Sequence, residues 1–414
     1  MAVLGIIAEF NPFHNGHYNL IKEVRKQHDF DSIICVMSGS FVQRGEPAIC
    51  NKWARAQMAL QGGADLVIEL PFCFATRSAY YFAKGALQLL ELTGVVTHLA
   101  FGSENNDIQV LDQVADLLHD ESDEYKIILK EFLAQGLSYP LARSKALQKY
   151  CPDNPAMASL LLGSNNILGI EYLKVLKELD SAIIPLTIER RGSSYHSTDL
   201  SEYASASAIR KALYNNTPLE EIQLAMPLAT KQILGKEIEQ GRAPSHIDTF
   251  DNLLLYKLRT MNAKEIGDLY DVTEGLEERI RDKALSCTNV EELKPAIKTK
   301  RYSLTKINRI LLYSLFNLTK DLAVELDNNG PQYHHVLGFN TQGQKLLQDI
   351  NYNSKIPVLN RGKDVKALYN QKDTPAGRMI HLDVMSTNVY NLLYPAYTQR
   401  IGAADFTTSP VREH

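Results

Sequence analysis

The chain runs to 414 residues, of which 45% are hydrophobic and 22% charged, and its formal net charge is -4. That size exceeds one ordinary domain and that composition can bury a sizeable core, so extensive disorder is excluded and two domains are expected. A slightly acidic chain has no global positive field, and any contact with nucleic acid has to come from a local basic patch.

The first half alternates between strand and helix signals. Val3 to Ala8 is a short apolar run suited to a buried strand, and Leu20, Ile21 and Val24 give helical spacing to the segment from His17 to about Gln27. Ser32 to Met37 reads as a strand, Lys52 to Gln61 as a helix, and Asp65 to Leu70 as a strand stopped by Pro71. Tyr80 to Leu92 is helical, and the strand Thr97 to Phe101 stops at Gly102. Helical patterning then covers roughly Asp107 to Tyr150, and a last piece runs from Asn165 through the strand Ile183 to Ile188 into a helix after Ser207. Strands and helices in this alternation imply a parallel sheet covered on both faces. Beyond about Gly241 helices dominate to about Thr319, and a mixed tail follows. The expected fold is α/β: a Rossmann-like parallel-sheet domain over 1–240, then a mainly helical domain with a mixed tail over 241–414. Ligands bind such sheets at the carboxyl ends of the strands.

The cysteines Cys35, Cys50, Cys73, Cys151 and Cys287 lack the short spacings of zinc or dithiol sites and read as reduced thiols. The N-terminus has no basic lead and soon meets Glu9, which is wrong for a signal peptide, and nothing approaches the roughly 18 apolar residues of a membrane span. A cytoplasmic protein without membrane contact is expected.

The first loop, Glu9 to His17, joins the first strand to the first helix. Pro12 restricts it, and Gly16 is expected to let backbone come close to a ligand. His14 and His17, three apart at a helix start, point to one side. A helix N-terminus attracts anions, and imidazole donors placed there can stabilise phosphate oxygens as a pyrophosphate departs. The structural alternative is a capped helix start carrying surface histidines.

His14-Asn15-Gly16-His17 resembles the His-x-Gly-His signature of the nucleotidyltransferase superfamily. The wider set of motifs resembles the bacterial tRNA(Met) cytidine acetate ligase family: Glu9 to His17, Val36-Met37-Ser38-Gly39, Gln43 to Ala48, Lys52 to Arg55, Asp65 to Pro71, Phe101 to Glu104, Asn165 to Gly169 and Ser205 to Arg210. The resemblance extends over nearly the whole chain. It implies a nucleotidyltransferase domain over 1–240, a tRNA-binding domain over 241–414, and ATP as substrate with Mg²⁺ carried by it. It also implies that acetate is activated to acetyl-adenylate and the acetyl group passed to N4 of the wobble cytidine of elongator tRNA(Met). Catalytic roles carry over to His14 and His17. ATP contacts carry over to Ile7, Ala8, Glu9, Phe10, Asn11, Pro12, Phe13, His14, Asn15, Gly16, His17, Tyr18, Asn19 and Leu20, and to Gly102, Asn165 and Arg190. The alternatives are a small-molecule adenylyltransferase of the same superfamily and a non-catalytic nucleotide-binding RNA adaptor.

Ser205 and Ser207 precede a helical run with Arg210 about one turn in, which suits N-capping. The same groups suit the outer phosphates of ATP, and they resemble the second signature of the superfamily, with Ala204 departing from its usual first residue. Asp65, Glu69 and Glu104 lie at strand ends without a recognisable ligand spacing, so a structural or substrate-orienting part is expected and no protein metal site.

Between Lys294 and Lys320 there are seven basic residues and no acidic one. Leu304, Ile307, Leu311, Leu315 and Leu318 form one apolar helix stripe, and Tyr302, Lys306, Arg309 and Tyr313 form another face. That second face reads either as a solvated surface or as an RNA surface in which Lys300, Arg301, Lys306 and Arg309 meet phosphates.

Overall fold

The protein is described by a computed structural model covering residues 2–104, 106–190, 200–273, 275–300 and 302–413. Arg301 lies outside the described residues, as does the segment that follows Arg190.

Strands β1 (Val3–Ala8), β2 (Ser32–Ser38), β3 (Leu66–Leu70), β4 (His98–Ser103) and β5 (Ile184–Glu189) lie in the order β5-β4-β1-β2-β3, all parallel. Their side chains alternate between two cores. In β2, Ile33, Cys35 and Met37 pack on one face and Ile34 and Val36 on the other, so an uninterrupted apolar strand satisfies both layers. Helices α1 (Asn15–Gln27) and α2 (Lys52–Gln61) cover the first face, through Ile21 and Val24 from α1 and Trp53 and Met58 from α2. The helices Ala79–Glu91 and Ser164–Glu178 cover the second through Leu87, Leu90, Ile170 and Leu173.

The chain builds β1, β2 and β3 outward in one direction, then crosses back to lay β4 and β5 on the other side of β1. The strand order therefore reverses between β1 and β4, and the carboxyl ends of these two strands flank the crevice where such sheets take ligands.

After residue 240 the chain is helical, including Ile247–Thr260, Leu276–Ser286, Val290–Ile297, Leu304–Phe316 and Lys320–Asn329. It then rejoins the sheet. Strand β6 (His334–Phe339) pairs antiparallel with β3, and β7 (Val358–Leu359) and β8 (Val411–Arg412) both pair with β6. The mixed tail expected of a separate C-terminal domain thus completes the first sheet, and a division at 240 does not divide the packing. The physical reason is the β3 edge, which would otherwise leave a buried row of unpaired amides and carbonyls. A buried ionic cluster fixes the same return: the Lys52 ammonium donates to Glu69 at 2.8 and 2.9 Å and to Asp405 at 2.6 Å. No helix among the described residues is long and apolar enough to cross a membrane.

Candidate active site

β1 delivers the chain into the loop Glu9 to His14, and that loop is braced from several sides. The Asn11 side-chain carbonyl accepts from the Ile49 amide at 2.7 Å, and Arg210 donates to the Asn11 backbone carbonyl at 2.8 Å. Arg55, fully buried, donates to the Glu9 carbonyl at 2.7 Å and to the Ser38 carbonyl at 3.1 Å. The Glu9 carboxylate accepts from the Gln43 amide at 2.9 Å, and burial pushes that carboxyl above its ordinary range.

His14 is the N-cap of α1. Its Nδ1 accepts from the Gly16 amide at 2.9 Å, and its own amide donates to His17 Nδ1 at 3.2 Å, which closes a reciprocal capping pair. The two rings lie 3.9 Å apart between centroids. Because both Nδ1 atoms accept, each neutral imidazole carries its proton on Nε2. Burial, then the Arg190 and Arg210 charges, brings His14 down to about 3. Burial, then His14 and Arg190, holds His17 well below the usual imidazole range. Both histidines are therefore neutral N–H donors near pH 7, set in a positive field that an anion would relieve.

These groups open onto a cavity of about 650 Å³ at the strand-order reversal. Of the positions expected to contact ATP, Ile7, Ala8, Glu9, His14, Gly16, His17, Asn19, Leu20, Gly102, Asn165 and Arg190 line it. The others lie outside the lining. Phe10 and Phe13 belong to the core, Asn11 and Pro12 are buried, and Tyr18 is exposed. The Asn15 side chain donates to the Glu202 and Leu224 carbonyls at 2.8 and 2.7 Å, tying α1 to the segment beyond residue 200. Ser205 caps the helix Ala206–Tyr214 through the Ala208 amide, Ser207 Oγ sits 2.9 Å from Ser205 Oγ, and Arg210 braces Asn11. In this geometry the segment acts on the first loop.

Two glycines have different reasons. A β-carbon on Gly16 would stand 2.7 Å from His14 Cε1, so Gly16 makes room for the histidine ring as well as lining the cavity. A β-carbon on Gly102 would meet nothing closer than 3.9 Å and would project into the cavity. Beside it, the Glu104 carboxylate accepts from the Asn165 and Asn166 amides at 3.1 and 2.8 Å and from Asn165 Nδ2 at 2.7 Å. Arg190 donates to Asn165 Oδ1 at 2.6 Å. Glu104 thus orients Asn165, and Asn165 in turn orients Arg190. Asp65 instead accepts from the Ile33 amide, and Glu69 pairs with Lys52, so the three acids considered together are spatially separate structural groups. Glu69, His335 and Asp405 do converge, but the Lys52 ammonium already bonds both carboxylates there.

The far wall of the cavity comes from the helix Leu304–Phe316, which carries Lys306 and Arg309 of the face considered for RNA. Tyr313 is fully buried and its hydroxyl donates to the Thr76 carbonyl at 2.9 Å, while Phe316 packs against Phe72 with ring centroids 4.7 Å apart. Leu304, expected in the apolar stripe, is exposed. The helix is enclosed on several sides because the sheet domain packs over the face that a single amphipathic stripe would leave to water. Lys306 and Arg309 line the same cavity as His14 and His17, whereas Lys300 is exposed. Tyr80, Tyr139, Arg143 and Glu171 also line it. No motif in the sequence marks those four; three separate helices bring them together.

The parallel sheet, the crevice at its reversal and two neutral histidines capping α1 define a nucleotidyltransferase of the His-x-Gly-His class. The family model HIGH Nucleotidyl Transferase matches residues 1–405. Among curated relatives, the tRNA(Met) cytidine acetate ligase of Syntrophomonas wolfei subsp. wolfei is 52% identical over 99% of this chain and 99% of its own. The protein of the same name from Acetivibrio thermocellus is 42% identical over 98% of this chain and 99% of its own. Among solved structures, Thermotoga maritima TmcAL bound with alpha-thio ATP is 36% identical, with a TM-score of 0.92 over 100% of this chain and 99% of that one. Its apo form has a TM-score of 0.94 at the same identity and coverage. The chain belongs to the tRNA(Met) cytidine acetate ligase family.

Proposed function

We propose that this protein activates acetate with ATP and transfers the acetyl group to N4 of the wobble cytidine of elongator tRNA(Met). The observation that carries the reading is the pair of neutral imidazoles with Nε2 donors at the α1 N-terminus, lining a cavity large enough for a nucleotide and a small second substrate.

An acetate oxygen attacks the α-phosphate in line, the bond to the bridging oxygen breaks, and pyrophosphate leaves. His14, His17 and the first amides of α1 donate to phosphate oxygens as charge accumulates on them, and each such donor is worth about 10²-fold or more in rate. Arg190, fixed by Asn165 and Glu104, adds a guanidinium to the same field. Gly102 leaves space for the ribose or base. Mg²⁺ enters with the ATP as its counter-ion. In the second half-reaction the cytosine amine attacks the acetyl carbonyl, AMP leaves, and the amine loses a proton. That amine is a weak nucleophile because its lone pair is delocalised into the ring, which is why an activated acyl donor is required. A wobble base is already unstacked enough to enter.

Lys300 and Arg301, the latter outside the described residues, keep the RNA-binding role, while Lys306 and Arg309 line the active-site cavity. A cytoplasmic setting follows from a tRNA substrate. Incubation with ATP, labelled acetate and bulk bacterial tRNA tests the proposal: label in the RNA is the expected result. A dinucleotide product without labelled RNA would favour a small-molecule adenylyltransferase, and RNA binding without ATP turnover would favour an adaptor.

A further inference from the structure

The helix Leu304–Phe316 places a guanidinium in the active-site cavity whose buried Nε has no hydrogen-bond partner among the described residues. Arg309 is only 8% exposed and lines the cavity. Its Nε is buried without a hydrogen-bond partner, and no carboxylate among the described residues forms an ion pair with it. A nearby acid, Asp271, already pairs with Lys306 at 3.6 Å. Two other buried arginines of this region have acidic partners: Arg143 donates to Glu171 at 2.7 Å, and Arg77 pairs with Asp327. A buried guanidinium without a counter-charge is costly, and an anionic ligand removes that cost.

The backbone at Arg309 is closely packed. Gly45, at φ +76°, packs so closely that a β-carbon there would stand 2.6 Å from the Arg309 amide nitrogen. Asn308 beside it donates to Glu46 at 3.3 Å. The turn holding Gly45 also carries Gln43, whose amide bonds Glu9 next to the histidine loop. One braced path therefore joins the Arg309 backbone to the phosphate-binding loop.

We infer that Arg309 binds the carboxylate of acetate and presents it to the α-phosphate of ATP, an assignment that rests on the acetate-activating function proposed above. A guanidinium matches a carboxylate with two parallel N–H donors, and it offsets the negative charge that must approach a phosphate. An RNA phosphate is the competing anion. Deep burial favours acetate, because backbone phosphates of a docked tRNA run along accessible surface, where Lys300 lies, and an acyl-adenylate has to form out of reach of water. As the acetate oxygen bonds to phosphorus, the other oxygen becomes the acyl carbonyl and keeps one guanidinium donor.

Acetate-dependent exchange of pyrophosphate into ATP, measured without RNA, tests this directly. Arg309→Gln is expected to raise the acetate KM by roughly 10- to 100-fold, the equivalent of losing hydrogen bonds to a charged group, with the ATP KM changed less than about threefold. Arg309→Lys keeps the charge without the fork and is expected to fall between parent and Gln variant. Because its Nε has no partner among the described residues, Arg309→Gln should melt no lower than the parent. An unchanged acetate KM with loss only of tRNA acetylation would overturn the assignment in favour of RNA. A lowered melting temperature with acetate and ATP KM raised together would overturn it in favour of a structural role. Absence of exchange in the parent protein would instead defeat the acetate-activating reading itself.

Discussion

Gly102 gives the sharpest separation of binding from folding in this cavity. A β-carbon there lies 3.9 Å from its nearest neighbours, Arg190 Cβ and the Ile188 carbonyl, which is ordinary van der Waals contact, and the strand backbone accepts any residue. Gly102→Val should therefore alter stability by less than about 0.5 kcal/mol, as at a site where nothing is displaced. The branched side chain would instead stand where the cavity runs past β4. Overfilling a fitted space costs about 1–3 kcal/mol, which corresponds to a loss of roughly 5- to 150-fold in ATP affinity. Calorimetric titration with ATP, beside a urea melt of the same preparation, reads both quantities. A Val variant that binds ATP like the parent would show that the nucleotide does not cross Gly102. One that unfolds early would show that the space beside Gly102 is not free. Gly16→Val makes the contrast, since its side chain strikes the His14 ring and should damage the capping pair and the chemistry together.

His17→Ala should lower adenylate formation by about 10²-fold or more while costing about 1 kcal/mol of stability for the lost cap acceptor; pyrophosphate release at the parent rate by folded variant would remove the loop from the chemistry. The low pKa of His14 makes a second test. Its folded value of about 3 lies below the ordinary 6.5, so the unfolded chain takes up a proton first as pH falls, and stability present above about 6.5 is lost progressively toward 3. Between pH 7 and 5 the loss amounts to about 2 kcal/mol, and His14→Asn should flatten that part of the stability profile; parallel profiles for parent and variant would refute the assignment. Lys300→Glu should weaken tRNA binding and reduce its salt slope by about one, while RNA-independent pyrophosphate exchange stays at the parent rate. Lys306→Glu, inside the cavity, should reduce both. Filter binding at several salt concentrations separates them, and equal effects on exchange would contradict the placement of the two lysines.

Local patterning alone determined the first half of this protein. Strand and helix periods depend on neighbouring residues, so β1 to β5 and α1 and α2 were legible to within a residue or two, and so was the chemistry of a histidine pair at a helix start. The tautomer of that pair also has a local origin, since the Gly16 and His14 amides lie within three residues of the rings they bond. Long-range contacts decided what the spacing could not. Read alone, His334–Phe339 begins with two histidines and contains a glycine, which hides a strand; the open β3 edge requires one there. Read alone, Lys306, Arg309 and Tyr313 form a solvent-facing stripe, but the stripe is turned inward by Phe72, Thr76 and Gly45, residues more than two hundred positions earlier. Helical period tells which side chains share a face. Which body covers that face is set by burial of apolar surface across the whole chain, and here it places Arg309 in the active-site cavity.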